Sequence, residues 1–299
     1  MSISDRLVRA AGVIPLVAAL AGLSGCSTPL PPGVATAPVL RVVTGLYPLA
    51  RAATLIGQDK VSVTDVVPAG ANPFGYRLGP AQVAAVHRAG LAVEIGGGFQ
   101  PSFESAAAGA RAVAVLGPAG SGATGRPGGY VWLDPASMGR AVTALAAAME
   151  HADPGATALY RRNAASLQAQ ISSLGIDYSS TLATCPDPTL IGPDGAFGAM
   201  AGSYGLRFMA VGARPSPAAT AAAVAALRGP GPAAVVAEPW VDNSGVAAVA
   251  ATASARVHQL DTLAGAPSGG WPPGADYFSL MEQNLGTLSG ALGCATQSR

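Results

Sequence analysis

Two runs of alternating strand and helix signals, with one long helical stretch between them, constrain this chain more than any other feature. In the first run Val39–Val43 is β-rich, and Leu46–Ile56 reads as a helix with an apolar face, stopped at Gly57. Val61–Val67 is a strand, Pro68–Gly79 a loop, and Pro80 opens a helix through His87 and Arg88 that Gly90 ends. Leu91–Ile95 is a strand, Ser102–Gly109 a short helix and Ala112–Leu116 a strand. The second run places strands at Thr189–Ile191, Arg207–Val211, Ala233–Ala237 and Arg256–Leu260. Its helices are Gly195–Ser203, Pro217–Leu227, Asn243–Thr252 and Tyr277–Leu292. Such alternation builds mostly parallel sheets with helices on their faces. The predicted fold class is α/β, with two lobes.

The stretch between the runs begins at Tyr130-Val131-Trp132-Leu133-Asp134-Pro135, after a glycine-rich loop over Gly117–Gly129. Pro135 suits a first helical turn, Asp134 is placed to cap it, and the helix reaches Met149. Asp153 and Pro154 open the next helix, which runs to about Leu182, with Gly175 placed to bend or break it. The expected organisation is an N-terminal lobe over 39–150, a connecting helix over 151–184 and a C-terminal lobe over 185–299.

The start of the chain is of another kind. Arg6 and Arg9 precede the apolar run Ala10–Leu23, which ends Leu23-Ser24-Gly25-Cys26. A basic segment, an apolar segment and small residues before a cleavage point make an export signal over 1–25. The ending resembles a bacterial lipobox, which makes Cys26 the lipidation site and 26–38 a tether rich in Pro, Ser, Thr and Ala. The alternative is an ordinary signal peptide with a chance cysteine. With Asp5, Arg6 and Arg9 removed the chain is formally neutral, which argues against a nucleic-acid partner. No internal stretch approaches the ~20 apolar residues of a spanning helix. Outside the cytoplasm the two remaining cysteines, Cys185 and Cys294, are candidates for one disulfide, against two independent thiols.

In open α/β sheets ligands bind beyond the C-terminal ends of the strands. Here those loops hold Pro73–Tyr76, Asp194, Glu238–Asp242 and Asp261. At this point several stretches match a known family in order. They are Val43–Ala50, Val66–Pro73, Gly97-Gly98-Phe99-Gln100-Pro101, Val131-Trp132-Leu133-Asp134-Pro135, Ala196-Phe197-Gly198 and Asp276–Leu285. The ordered set, covering nearly all of the mature chain, resembles the solute-binding lipoproteins of bacterial ABC importers for zinc and manganese. The resemblance implies two lobes joined by one rigid long helix, with cargo captured between them and delivered to an ABC permease. It implies a monomer anchored by lipid to the outer face of the cell membrane, or on its periplasmic side.

The family's metal ligands match only in part. Its first histidine position falls on Phe74 and its second on Tyr130. The third, histidine or carboxylate, falls on Asp194, and the fourth, an aspartate, on Asp261. Tetrahedral zinc favours imidazole and thiolate, so the loss of two imidazoles weakens such a site. His87, His151 and His258, expected on a helix, between helices and in a strand, do not replace them. Three readings follow. The chain holds one divalent cation, zinc, manganese or a harder ion, with Asp194, Asp261, Tyr130 and Glu238. Or the crevice takes an organic solute against Phe74, Tyr76, Tyr130, Trp132 and Trp240. Or the pocket is vestigial, and the chain is an envelope scaffold or adhesin-like partner. Against these stand core packing for Trp132 and Phe197, a helix cap for Asp194 and a surface loop for Asp261. Catalysis is not expected: a paired-carboxylate site at Asp194 and Asp261 has no matched histidine, and there is no Gly-x-Ser-x-Gly signature.

Overall fold

The computed structural model describes residues 39–110, 112–114 and 130–294. The signal, the tether with Cys26 and the loop over 117–129 lie outside the described residues. The first sheet contains β1 (Leu40–Thr44), β2 (Val61–Asp65), β3 (Leu91–Glu94) and β4 (Ala112–Ala114), in the order β2-β1-β3-β4. The second contains β5 (Thr189–Gly192), β6 (Arg207–Ala210), β7 (Ala233–Ala237) and β8 (Val257–Gln259), in the order β6-β5-β7-β8. Every pairing is parallel, so the lobes repeat one topology.

Central parallel strands are buried on both faces, and β5 and β7 are accordingly near-continuous buried runs, while the edge strands β2 and β8 carry exposed polar residues. Val42 and Val43 show the division. Val42 joins the large core that runs through both lobes, from Leu40 to Cys294. Val43 turns to the outer face and packs with Val86 and Phe103. In the second sheet Leu190 and Val236 face the shared core, while Ile191 and Val235 face an outer cluster with Val246 and Val249.

The helices are α1 (Tyr47–Gly57), α2 (Pro80–His87), α3 (Pro101–Ala107), α4 (Pro135–Ala152), α5 (Thr157–Leu182), α6 (Gly198–Ser203), α7 (Pro217–Arg228), α8 (Ser244–Ala253) and α9 (Tyr277–Leu292). Asp134 caps α4 as expected, its carboxylate accepting from Ser137 N at 3.0 Å. Three expectations change. Asp153 caps nothing; its carboxylate accepts from the Tyr160 hydroxyl at 2.9 Å, and α5 starts from a 3-10 turn over Pro154–Ala156. His151 lies in the last turn of α4 rather than between helices. Gly175 leaves α5 unbroken over 26 residues, about 39 Å of helix. A side chain there would meet Pro135 Cβ at 3.4 Å, so the glycine admits the start of α4 close against α5.

α5 buries Tyr160, Ala164, Leu167, Ile171, Leu174, Tyr178 and Leu182, spaced three and four apart along one stripe. That stripe packs on α1 and α4 of the first lobe and on α9 of the second. The long helix is thus a spine shared by both lobes. Cys185 and Cys294 form the disulfide, with Cα atoms 4.5 Å apart, and tie the end of α9 to the segment entering β5.

Candidate functional site

The loops after the strands meet between the lobes and bond to one another. Tyr47 N donates to Ala264 O at 3.2 Å and Gly70 N to Ala266 O at 2.8 Å. Asn72 Nδ2 donates to Trp240 O at 3.0 Å, and Trp132 Nε1 to Thr262 O at 2.6 Å. Tyr277 of α9 returns the link, its hydroxyl donating to Trp132 O at 2.7 Å. Trp132 is fully buried, so its expected core role holds, but it is also a hydrogen-bonded strut across the crevice. Phe197 is core alone, at 1 % exposure.

On the first lobe's side the crevice wall is aromatic. Phe74, Phe99 and Tyr130 meet edge to face in a triangle, with centroids 5.2 to 5.4 Å apart. Trp132 closes on Phe99 at 5.7 Å and on Tyr130 at 5.5 Å. Such tilted contacts suit the ring quadrupoles and contribute about 0.5–1.5 kcal/mol per pair beyond area burial. Phe74 and Tyr130, the two positions that the resemblance matches to histidines, are therefore packed ring against ring, and Tyr130 is 2 % exposed. Tyr76 stands apart from this group; its hydroxyl accepts from Gln82 Nε2 at 2.9 Å on the outer side of α2.

On the second lobe's side stand carboxylates. Asp194 follows β5, and its Oδ1 accepts from Ala196 N at 2.8 Å. That turn delays α6 to Gly198, three residues later than expected. Glu238 follows β7 at 1 % exposure, its backbone clasped by Asn243 through Glu238 N at 3.0 Å and Glu238 O at 2.8 Å. Asp261 follows β8 and accepts from Leu263 N at 2.7 Å, while Asn284 of α9 holds its backbone on both sides. Burial pushes the Asp261 carboxyl up from its ordinary value, and the Leu263 N–H opposes that. Among the described residues no three His, Cys, Asp or Glu side chains are grouped to hold a metal ion. His87, His151 and His258 all lie outside the crevice loops, on α2, α4 and β8.

Beside Asp194 a cavity of about 600 Å³ opens, bounded by Ala210, Trp240 and Asp242. Trp240 holds a φ of 72°, a left-handed backbone that a bulky residue rarely adopts.

The sequence reading gave no role to four residues that shape the crevice. Thr44 Oγ1, Gln100 Oε1 and Thr262 Oγ1 are buried oxygens with no hydrogen-bond partner among the described residues. Gln100 Nε2 bridges Gly45 O at 2.8 Å and Pro73 O at 3.1 Å, so its carbonyl is fixed in place. A side chain at Gly45 would stand 2.9 Å from that amide. Asn72 is the clamp on Trp240 O. The signal available was a polar residue at the end of an apolar segment: Thr44 closes Leu40–Thr44, and Gln100 stands just before Pro101, where α3 begins.

The profile of the family described as zinc-uptake complex component A, periplasmic, matches residues 42–291. The chain belongs to this family. Family members are solute-binding components of zinc and manganese ABC importers, a transport class rather than an enzyme class. The high-affinity zinc uptake system protein ZnuA of Bacillus subtilis is 26 % identical over 281 residues, spanning 85 % of this chain and 88 % of that protein. The structure of the metal-dependent lipoprotein YcdH from Bacillus subtilis is 25 % identical, with a TM-score of 0.71 over 85 % of this chain and 99 % of that one. The periplasmic zinc-binding protein TroA from Treponema pallidum shares the fold at 18 % identity, with a TM-score of 0.72 over 85 % and 99 %. Membership accounts for the two lobes and the long connecting helix.

Proposed function

We propose that this zinc-uptake family member is an importer's solute-capturing subunit with an oxygen-only cation site that no longer selects zinc. The observation that carries the reading is the Phe74–Tyr130 contact. The family's two imidazole positions hold packed aromatic rings, and the unpartnered acceptors around the crevice are oxygens, the indole N–H groups of Trp240 and Trp271 being donors that cannot ligate a cation. Asp194, Glu238 and Asp261 supply carboxylates, and Thr44, Gln100 and Thr262 supply neutral oxygens without partners. Tyr130 would donate its phenol oxygen. Oxygen donors suit manganese or magnesium better than zinc. The carboxylates are not gathered in this structure, so capture requires movement of the loops after β5, β7 and β8 around the rigid spine.

In this reading the export signal spans 1–25, lipid on Cys26 anchors the chain, 26–38 is the tether, and the lobes span 39–150 and 185–299 about the connector 151–184. The chain acts as a monomer that hands its cargo unchanged to an ABC permease. The test is the melting temperature with Mg, Mn or Zn added. At about a hundred times the dissociation constant a ligand adds about 2.7 kcal/mol. A shift with Mn or Mg that disappears in Asp194→Ala and in Asp261→Ala supports the reading; no shift with any cation removes it.

A second reading rests on the cavity beside Asp194. Trp240, Asp194 and Asp242 offer an aromatic face and two carboxylates, which suits an organic cation. Thermal shifts with organic ammonium compounds, in the absence of any metal response, would select it. Silence from both ligand classes would leave the envelope scaffold.

A further inference from the structure

A groove of about 780 Å³ runs along the outside of the first lobe, between α2 and α3. Its floor is apolar, formed by Phe74, Leu78, Val83 and Ala106. Its polar groups are Tyr76, Arg77, His87, Ser102 and Ser105, with no carboxylate among the lining residues. The acid of α3, Glu104, is turned away; its oxygens accept from Gly98 N at 2.8 Å and Gln100 N at 2.9 Å. Arg77 makes no ion pair among the described residues. It sits three residues before α2, and His87 is the last residue of that helix. The groove is therefore lined by a guanidinium from the loop before α2 and by an imidazole at the end of that helix, which is about 12 Å long. Ser102 Oγ accepts from Leu78 N at 3.0 Å, which fixes the loop and leaves the hydroxyl proton to donate.

We propose that this groove is a second ligand site, for a small organic anion with an apolar body and a carboxylate or phosphate head. Its volume lies within the range of small-molecule sites. The guanidinium would take the head in a forked, charge-assisted pair. The apolar body would lie on Leu78, Val83 and Ala106 against the outer side of Phe74. Phe74 is also a member of the crevice triangle, so the ligand would touch a ring that packs on Tyr130. This inference does not depend on the nature of the cargo, because it uses neither Asp194 nor Asp261.

The experiment is a fluorescence titration of the purified chain with anilinonaphthalene sulfonate, an anion with an apolar body. Benzoate, phenyl phosphate and benzylamine are then added as competitors. The expected result is saturable binding at one site, displaced by an anion and not by benzylamine. The stronger of benzoate and phenyl phosphate identifies the head group. Arg77→Gln, at an exposed position, should weaken binding about tenfold, equivalent to about 1.4 kcal/mol. Ser105→Phe, which fills the groove from α3, should abolish it. Asp194→Asn and Asp261→Asn should bind as the parent does. Absence of saturable binding, an unchanged affinity in Arg77→Gln, or displacement by benzylamine as strong as by benzoate would overturn the proposal. Equal melting temperatures of parent and Arg77→Gln exclude a loss caused by unfolding.

Discussion

The ring of Phe74 meets the ring of Tyr130 edge-on, with centroids 5.3 Å apart and planes at 74°. The two positions that the family resemblance matches to histidines are thus one another's packing partners. In the double variant Phe74→His with Tyr130→His, imidazoles would face Asp194 and Asp261 across the crevice, a donor set that zinc accepts. The double variant should bind one zinc about 100-fold tighter than the parent, a gain of about 2.7 kcal/mol. Without metal it should melt lower, because the edge-to-face contacts are lost. Calorimetric titration with zinc checks both; equal affinity in parent and variant would show that these positions do not face the cargo.

Asp261 is held in the folded chain with its carboxyl raised by burial. The native state therefore binds that proton more tightly than the unfolded chain. Stability falls as pH rises from the ordinary carboxylate range through the folded value, and the full penalty is present above it. Asp261→Asn keeps an oxygen for Leu263 N and removes the charge. It should melt higher than the parent at neutral pH, and the difference should vanish in acid. Thermal unfolding across pH measures this; a parent more stable than the variant at pH 7 would mean that the carboxylate is paired.

Tyr277 and Trp132 carry the strut between α9 and the crevice. Tyr277→Phe leaves Trp132 O buried without its donor and should cost about 1–3 kcal/mol. Urea unfolding, read by tryptophan fluorescence, gives the value. Because Trp132 also holds Thr262 O, the variant should loosen the 260–275 loop first, seen as faster amide exchange there.

Much of this architecture was legible in the sequence. Pro80, Pro135 and Pro217 mark helix starts, and alternation alone separates the two sheets. Asp134 was readable as a cap because its carboxylate needs only the next turn. Asp153 was misread on the same local logic, since the Tyr160 hydroxyl, seven residues and about two turns further on, competes for that carboxylate. Gly175 was misread because helix propensity ignores what lies alongside, here Pro135. The aromatic residues at Phe74 and Tyr130 were visible in the sequence, but their mutual packing was not, since 56 positions separate them. The orphaned oxygens of Thr44, Gln100 and Thr262 were invisible for the same reason: burial without a partner is a property of tertiary packing.

The disulfide closes a separation of 109 residues around the whole second lobe. Replacing both Cys185 and Cys294 by serine should lower stability by about 2–5 kcal/mol, largely through the freed unfolded chain. The spine and the crevice should keep their structure, so any cation response should survive. Denaturant unfolding of the variant against the parent measures the loss.

The most direct measurement is zinc content after dialysis of the purified chain against a metal buffer that holds free zinc at nanomolar levels. An aromatic pair in place of two imidazoles predicts no retained zinc in the parent and one equivalent in the Phe74→His, Tyr130→His variant. One equivalent of zinc retained by the parent, and lost in Asp194→Ala or Asp261→Ala, would contradict the account.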